Sequence, residues 1–400
     1  MEKHSEWMVH QKYVKRYQDG YPLITKDAIV SRMDSAREGD VIHLVDTHHR
    51  FIAKGYCGQQ NKGIGWILTT DHNTKLDASF FKKTIEQAIK RRTPFYESDQ
   101  TTAFRVFNGE GDGIGGLTID YYAGYYVINW YSEGIYAYKT DIVQTLEQLS
   151  DCQAIYEKKR FKQKGSYIDD DDFVSGTRAD FPLIVKEHNM HYAVDLNDGA
   201  MTGIFLDQRD VRRAIRDRYA SGLRVLNTFS YTGAFSVASS LGGALQTTSV
   251  DLAKRSLPKT IEQFSVNGID FEAENIHVMD VFEYFKYARR KNLSFDTVIL
   301  DPPSFARTKK YAFSVQKDYT TLLSEALTVT EKGGVIVAST NHAALTRKKF
   351  KNMLVKGFEK EHKSFRILEE YSLPEDFRVH KAYPQGNYLK VVIMQVVGAR

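Results

Sequence analysis

Cysteine is nearly absent from this 400-residue chain: Cys57 and Cys152 are the only two and make no CxxC pair, so they offer neither a disulfide framework nor a zinc site. No uninterrupted apolar span is long enough for a membrane helix. The opening MEKHSEWMVHQKYVKRYQDG also lacks the apolar segment of a secretory signal, so a cytoplasmic protein with no membrane partner is expected. Low-complexity tracts are missing, and 26% charged with 42% hydrophobic residues is the composition of an ordinary globular chain with material for two or three domains. Neither charge dominates: 55 Lys and Arg against 50 Asp and Glu leave a net +5, which permits a polyanionic partner without arguing for one.

What the chain does have is an organising stretch, FDTVILDPPSF, from Phe295 to Phe305. An apolar run (Val298, Ile299, Leu300) ends in Asp301, two prolines, a small hydroxyl residue and an aromatic, the pattern of a buried strand stopping at the edge of a site. Pro302 and Pro303 cannot donate to a ladder or continue a helix, so the backbone after Asp301 is held extended. A stiff row of carbonyls beside a carboxylate and a ring suits a flat, amino-bearing heterocycle; a proline-terminated core strand with a satisfied aspartate would read the same way.

Residues 1–71 alternate short apolar runs with turns, at Val41–Val45, Phe51–Ala53 and Trp66–Leu68, and predict a small β-barrel domain. Lys12, Lys15 and Arg16 interleave with Tyr13 and Tyr17, a mixture able to hold a phosphate backbone and stack a base, or to form a solvated edge. A helical stripe (Phe80, Phe81, Ile85, Ala88, Ile89) connects this region to a small α+β middle domain, the two filling residues 72–188. There the glycines of NGEGDGIGG lie between two strand-like runs, predicting a wide hairpin loop and not a phosphate cradle. Lys139–Leu149 reads as a helix and Ala154–Tyr156 as a strand. Lys158, Lys159, Arg160, Lys162 and Lys164 follow among aromatics as a candidate nucleic-acid stripe, with Asp169–Asp172 as an exposed acidic loop.

Residues 189–400 alternate strands and helices, the pattern of a doubly wound, Rossmann-like α/β sheet. Strands are expected at Arg224–Leu226, Thr247–Val250, Ile276–Val278, Thr297–Leu300 and Val335–Ala338, with ligands across their carboxyl ends. Asp251 falls 18 positions after Gly233, near the offset at which an acid meets ribose hydroxyls, yet the first loop lacks GxGxxG. A dinucleotide is therefore the weaker ligand, and a nucleoside without phosphates, S-adenosylmethionine (SAM), the better one. Asp280 would meet the adenine amine and Asp301 the methyl donor and its target.

These motifs carry a resemblance. EGDVIHL (38–44), NGEGDGIGGLTID (108–120), TGIFLDQRDVR (202–212), VLNTFSYTGAFSVAS (225–239), SVDLA (249–253), DPPSFA (301–306) and YPQGNYLK (383–390) occur in order over nearly the whole chain. In this the chain resembles the bacterial large-subunit rRNA cytosine-C5 methyltransferases. Those enzymes are built from an N-terminal PUA domain, a small middle domain and a class I SAM-dependent methyltransferase domain. The resemblance implies an RNA-binding PUA module, large-subunit rRNA as partner and SAM as donor. By motif, Gln208, Arg209, Asn227, Phe229, Ser230, Tyr231, Gly233, Asp251, Asp280 and Asp301 would line the SAM site. Family members often pair, and no self-complementary face is legible here, so a homodimer stays open.

The sequence departs from that family at the nucleophile. C5 of cytosine is not nucleophilic, so such enzymes attack C6 with a cysteine thiolate, which belongs just after the fifth strand. Ser339-Thr340-Asn341 stand there instead, with His342 adjacent, while Cys57 and Cys152 belong to the barrel and middle domains. Transfer to an atom that already has a lone pair avoids the need. DPPSFARTKK, SVQKDY and STN also resemble the N7-guanine half of the fused bacterial large-subunit rRNA guanine methyltransferases, which have no cysteine at this place. The expectation is a SAM-dependent rRNA methyltransferase acting on a ring nitrogen such as guanine N7. Asp301, Pro302 and Phe305 would position the base, with Asn341 as an edge reader. An RNA-binding protein with a retained SAM pocket and no catalysis is the alternative, and a small-molecule methyltransferase a weaker one. Phosphate contacts are expected from Lys286, Arg289, Arg290 and Lys291, from Arg307, Lys309 and Lys310, and from residues 341–366, with eight Lys or Arg against two Glu.

Overall fold

The structure, a computed structural model, describes residues 5–32, 36–60, 63–148, 152–161, 167–307 and 312–399. Lys162, Lys164, Lys309 and Lys310 of the expected basic stripes lie outside the described residues. The chain divides into two compact units: Met1–Val185 with Val194–Thr202 and Glu375–Gly386, and Lys186–Ala193 with Gly203–Pro374 and Asn387–Arg400. Among the described residues no helix is long and apolar enough to cross a membrane.

The first unit holds a six-stranded sheet of β1 (Ser5–Val9), β2 (Leu23–Ile24), β3 (Ile29–Arg32), β4 (Val41–Val45), β5 (Phe51–Gln60) and β6 (Gly63–Thr69), in the order β2-β6-β5-β4-β1-β3. Helix α1 (Gln11–Gln18) turns Val14 and Tyr17 into the core. Tyr17 is fully buried, so the expected basic and aromatic row loses one of its stacking rings, while Tyr13 donates to Asp27 and Arg16 stacks on Tyr21. Helix α2 (Ala78–Arg91) is capped by Asp77, whose carboxylate accepts the Phe80 N–H at 3.1 Å, and it buries Phe81, Ile85 and Ala88 at helical spacing.

A five-stranded sheet in the order β11-β10-β9-β8-β7 completes that unit, from β7 (Ala103–Asn108), β8 (Leu117–Tyr122), β9 (Tyr125–Trp130), β10 (Ala154–Lys159) and β11 (Phe173–Gly176). Short helices α3 (Thr93–Tyr96) and α4 (Glu133–Tyr136) and helix α5 (Lys139–Glu147) flank it. Strands β7 and β8 pair antiparallel around the glycine-rich segment, the hairpin expected from their flanking runs. The basic stripe on β10 is different. This strand is interior, between β9 and β11, and five consecutive residues from Ala154 to Lys158 are buried, so both of its faces are covered. Lys158 is fully buried, paired with an equally buried Asp172 and donating to the Gly199 carbonyl at 2.6 Å. Lys159 pairs with Asp170 at 3.1 Å, and Arg160 donates to Asn129 Oδ1 at 2.9 Å. The free cationic row is therefore not present at these residues, and of the acidic run Asp169, Asp170 and Asp171 are exposed while Asp172 is buried.

Strands β12 (Leu183–Glu187) and β13 (Met190–Val194) form a two-stranded sheet. The second unit is built on seven strands: β14 (Arg224–Thr228), β15 (Gln246–Asp251), β16 (Asn275–Val278), β17 (Phe295–Leu300), β20 (Thr330–Thr340), β21 (Lys363–Tyr371) and β22 (Lys390–Ala399), with β18 (Phe305–Arg307) and β19 (Ala312–Ser314) as a separate hairpin. The order is β16-β15-β14-β17-β20-β22-β21; the first five strands run parallel, and β22 and β21 add antiparallel to that edge. That pair was not delineated by the sequence patterns. The parallel strands are covered on both faces. Val298, Leu300, Ile336 and Ala338 join the core of α9 (Val281–Arg290), α10 (Val315–Leu327) and α11 (Arg347–Lys360). Val225, Ile299 and Val337 join that of α6 (Arg209–Arg218) and α7 (Ala234–Leu241), and α8 (Ser256–Ser265) follows β15.

Candidate active site

The order reverses between β14 and β17, which both neighbour strands from opposite directions, and ligands bind beyond the carboxyl ends of strands at such a switch point. A cavity of about 460 Å³ lies there. Its walls come from the segments that follow five strands: Phe229–Thr232 after β14, Asp251–Ala253 after β15, 280–282 after β16, 301–303 after β17 and Asn341 after β20.

The β14 loop is drawn tight. The Ser230 N–H donates to the Val250 carbonyl at 3.1 Å and the Tyr231 N–H to Asp251 Oδ2 at 2.9 Å. Phe229 and Tyr231 both take left-handed backbone conformations, φ 55° and 53°, a cost tolerated where surroundings fix a functional loop. Gly233 then enters α7 at φ +82°; a Cβ there would stand 2.6 Å from Thr260 Cγ2, so the loop requires glycine. Asp251 Oδ1 accepts the Ala253 N–H at 2.8 Å, which leaves its carboxylate oriented at the cavity rim. Asp280 lines the cavity while its Oδ1 caps α9, accepting from Phe282 at 2.9 Å and Glu283 at 3.2 Å.

Asp301 and Asn341 stand at the ends of the neighbouring strands β17 and β20. Gln208 Nε2 bridges this edge, donating to Asp301 Oδ1 at 3.1 Å and to Ser339 Oγ at 2.8 Å. Burial pushes the Asp301 carboxyl up to about 6, and the nearby Asp207 charge pushes in the same direction. Beneath the edge the buried Tyr319 hydroxyl meets the Ser339 carbonyl at 2.9 Å and the Leu300 carbonyl at 3.3 Å. Thr340 is fully buried, its hydroxyl accepting the His342 N–H at 3.2 Å. Lys390 donates to the carbonyls of His342 at 3.0 Å and Tyr388 at 2.8 Å; burial first, and the Arg347 charge second, lower its ammonium to about 8.

Of the residues singled out by sequence, Gln208, Phe229, Ser230, Tyr231, Asp251, Asp280, Asp301, Pro302 and Asn341 line this one cavity. Arg209, Asn227, Gly233 and Phe305 do not: Arg209 is buried in the first turn of α6, Asn227 donates to Ser236 Oγ at 3.0 Å, and Gly233 shapes the loop from behind. Phe305 points away on β18, 62% exposed, and the hairpin sends Ala306 and Phe313 to the wall instead. A strand alternates its side chains, and no run as short as Phe305–Arg307 reveals its register. Asp207 was within reach of sequence reasoning, since it sits in FLDQR beside Gln208. Phe282 and Phe313 carried no motif at all.

The residues fit SAM. Acids at the ends of β15 and β17 and at the start of α9 suit ribose hydroxyls, an adenine amine and a cationic ligand, and the aromatic wall suits a heterocycle. One buried amide oxygen on this wall, Gln208 Oε1, has no partner among the described residues.

The sequence matches the S-adenosylmethionine-dependent methyltransferase family over residues 104–388 and a PUA-like domain over residues 8–70. The Bacillus subtilis protein YwbD, provisionally named a ribosomal RNA large subunit methyltransferase, is 56% identical over 385 residues, 96% of this chain and 97% of that one. Ribosomal RNA large subunit methyltransferase I of Klebsiella pneumoniae is 30% identical over 373 residues, 92% of this chain and 93% of its own. Among solved structures, SMU.776, a provisionally assigned methyltransferase in complex with SAH, superposes with a TM-score of 0.88 at 39% identity, covering 98% of this chain and 99% of that one. With a SAM-shaped site at the switch point and these matches along nearly its whole length, the chain belongs to the S-adenosylmethionine-dependent methyltransferases and uses SAM.

Proposed function

We propose that this chain methylates a base of large-subunit ribosomal RNA, and that the accepting atom is a ring nitrogen, guanine N7. The names of its relatives and its PUA-like domain support RNA as the substrate. One observation carries the choice of atom. Among the described residues no thiol lines the cavity, both cysteines belong to the other unit, and the residue at the end of β20 where a nucleophile would stand is Thr340, buried with its hydroxyl turned to the backbone. Methylation of cytosine C5 needs covalent addition at C6, and nothing on this wall supplies it.

Bound SAM supplies an electrophilic methyl whose former bonding pair stays on sulfur. Attack by N7 uses a lone pair lying in the plane of the ring, forms the N–C bond and releases no proton, so no general base is required. What the chain must provide is position and charge. Asp301, ionised above about pH 6 and held by Gln208, accepts an N–H of the base and faces the positive charge that develops on the purine. Pro302 and Pro303 keep the adjoining backbone extended beside it. Phosphate contacts fit the outer face of α11: Arg347 and Lys351 are tied to Glu370, whereas Lys348, Lys349, Lys356 and Lys360 are exposed and have no ion pair among the described residues.

The test is nucleoside mass analysis of unmodified large-subunit rRNA incubated with the protein and isotopically labelled SAM. Label in 7-methylguanosine is expected. Label in 5-methylcytidine would overturn the ring-nitrogen assignment, and SAM binding without any label would favour an RNA-binding protein that has lost catalysis.

A further inference from the structure

The segment after β20 is pinned on both sides of Asn341: Tyr319 holds the Ser339 carbonyl and Lys390 the His342 carbonyl. Between these anchors the Asn341 side chain is exposed at the cavity, and its amide has one described contact, a hydrogen bond from Ser304 Oγ to Oδ1 at 2.7 Å. An amide can present either its acceptor or its donor by a half-turn of its last torsion, and the two ends read opposite base edges. Here the acceptor end is taken by a hydroxyl from the DPPS loop, and Nδ2 has no partner among the described residues. The bond is exposed, so it adds little to folding stability. Its consequence is orientation.

We infer that Ser304 is a positioning residue that sets base specificity: by occupying Asn341 Oδ1 it fixes Nδ2 as the group offered to the acceptor base, where it donates to O6 of guanine. This rests on the reading of the cavity as the guanine-methylating site of an RNA methyltransferase. O6 adjoins N7, so one donor at this place registers the ring beside the methyl. Adenine presents an amine in the same position, donor against donor, and is rejected. Once a bound base excludes water from the amide, a donor left facing another donor is unpaired, and that is what makes such discrimination strong. Without the Ser304 hydroxyl the amide can turn, present Oδ1 and accept the adenine amine instead.

The test compares wild type, Ser304→Ala, Ser304→Thr and Asn341→Asp on unmodified rRNA, following kcat, KM for RNA, the SAM dissociation constant, thermal stability and the partition of label between guanosine and adenosine. Ser304→Ala is expected to lower kcat on the order of tenfold, the scale of a mis-set group. It should also raise the adenosine share of label and leave SAM binding and melting temperature unchanged. Ser304→Thr, which keeps the hydroxyl, should restore turnover. Asn341→Asp, which removes the donor, should lose guanine methylation while still binding SAM. Wild-type turnover and partition in Ser304→Ala overturn the role of Ser304, even if Asn341→Asp is inactive. Equal activity of both variants removes Asn341 as a reader as well. Wild-type label confined to cytidine, or none at all, fails the underlying reading and takes this inference with it.

Discussion

Burial lifts the Asp301 carboxyl to about 6, above the 3.8 of an unfolded aspartate. Between those values the native chain holds a proton that the unfolded chain has released, so stability falls as pH rises through that window. Asp301→Asn keeps the shape and removes the charge. The variant should melt higher than wild type at pH 7 to 8, by on the order of 1–2 kcal/mol for a partly exposed group, and the advantage should vanish near pH 4. Its rRNA turnover should fall at least about a hundredfold, the scale of a lost electrostatic contact in a reacting site. Equal thermal stability at both pH values would show that Asp301 is not strained by burial. In wild type, turnover should climb as pH rises from about 5 to 7, following ionisation of Asp301. At this scale much was legible. An apolar run that stops at an acid is a strand reaching a ligand, which is how Asp251 and Asp301 were found. Phe305 misled because two aromatics on the paired strands β18 and β19 compete for one wall, and only the register of Phe305 against Ser314 decides that Phe313 takes it.

Strand and helix treat a run of lysines differently. On β10 both faces are covered, so Lys158 had to be paired: burial pushes its ammonium down and its partner Asp172 up, while the ion pair opposes both shifts. Lys158→Met strands that carboxylate beside Tyr167 alone. It should cost about 3–5 kcal/mol of unfolding free energy and leave the salt dependence of RNA binding unchanged. A loss of RNA affinity without loss of stability would restore the surface reading. On α11 the apolar residues Phe350, Leu354 and Phe358 repeat along one side, so the lysines between them are left outside. Replacing Lys349 and Lys356 with alanine should weaken RNA binding and lower the slope of log affinity against log salt by about 1.4, roughly 0.7 for each single-strand phosphate contact. An unaltered slope would mean a merely solvated face. Charge runs on helices were therefore easier to read than charge runs beside strands, because helical periodicity reveals which face is free and a strand's burial depends on neighbours far away in the chain.

The two units are not two stretches of chain. Residues 375–386 leave the catalytic unit and are built into the other one, where Arg92 grips Asp112 with two bonds of 2.7 Å and donates to the Asp376 carbonyl at 2.6 Å. Asp376 in turn accepts the Arg105 N–H at 2.8 Å, and Gly111 lies so close to the Arg378 carbonyl that a Cβ would stand 1.8 Å from it. A fragment beginning near residue 189 would keep this segment without its sockets. It should be cut preferentially at 375–386 in limited proteolysis, where the full chain resists. No sequence pattern could announce the excursion, since it depends on a buried guanidinium 284 residues away from its carbonyl.

Strand β22 lies between β20 and β21, and the excursion that precedes it completes the other unit. The first unit cannot finish before residues 375–386 are made, nor the second before β22, so the usual order of synthesis, one domain ripening before the next emerges, is denied to this protein. A ribosome stalled before residue 375 would hold two unfinished bodies, although most of both had already been made.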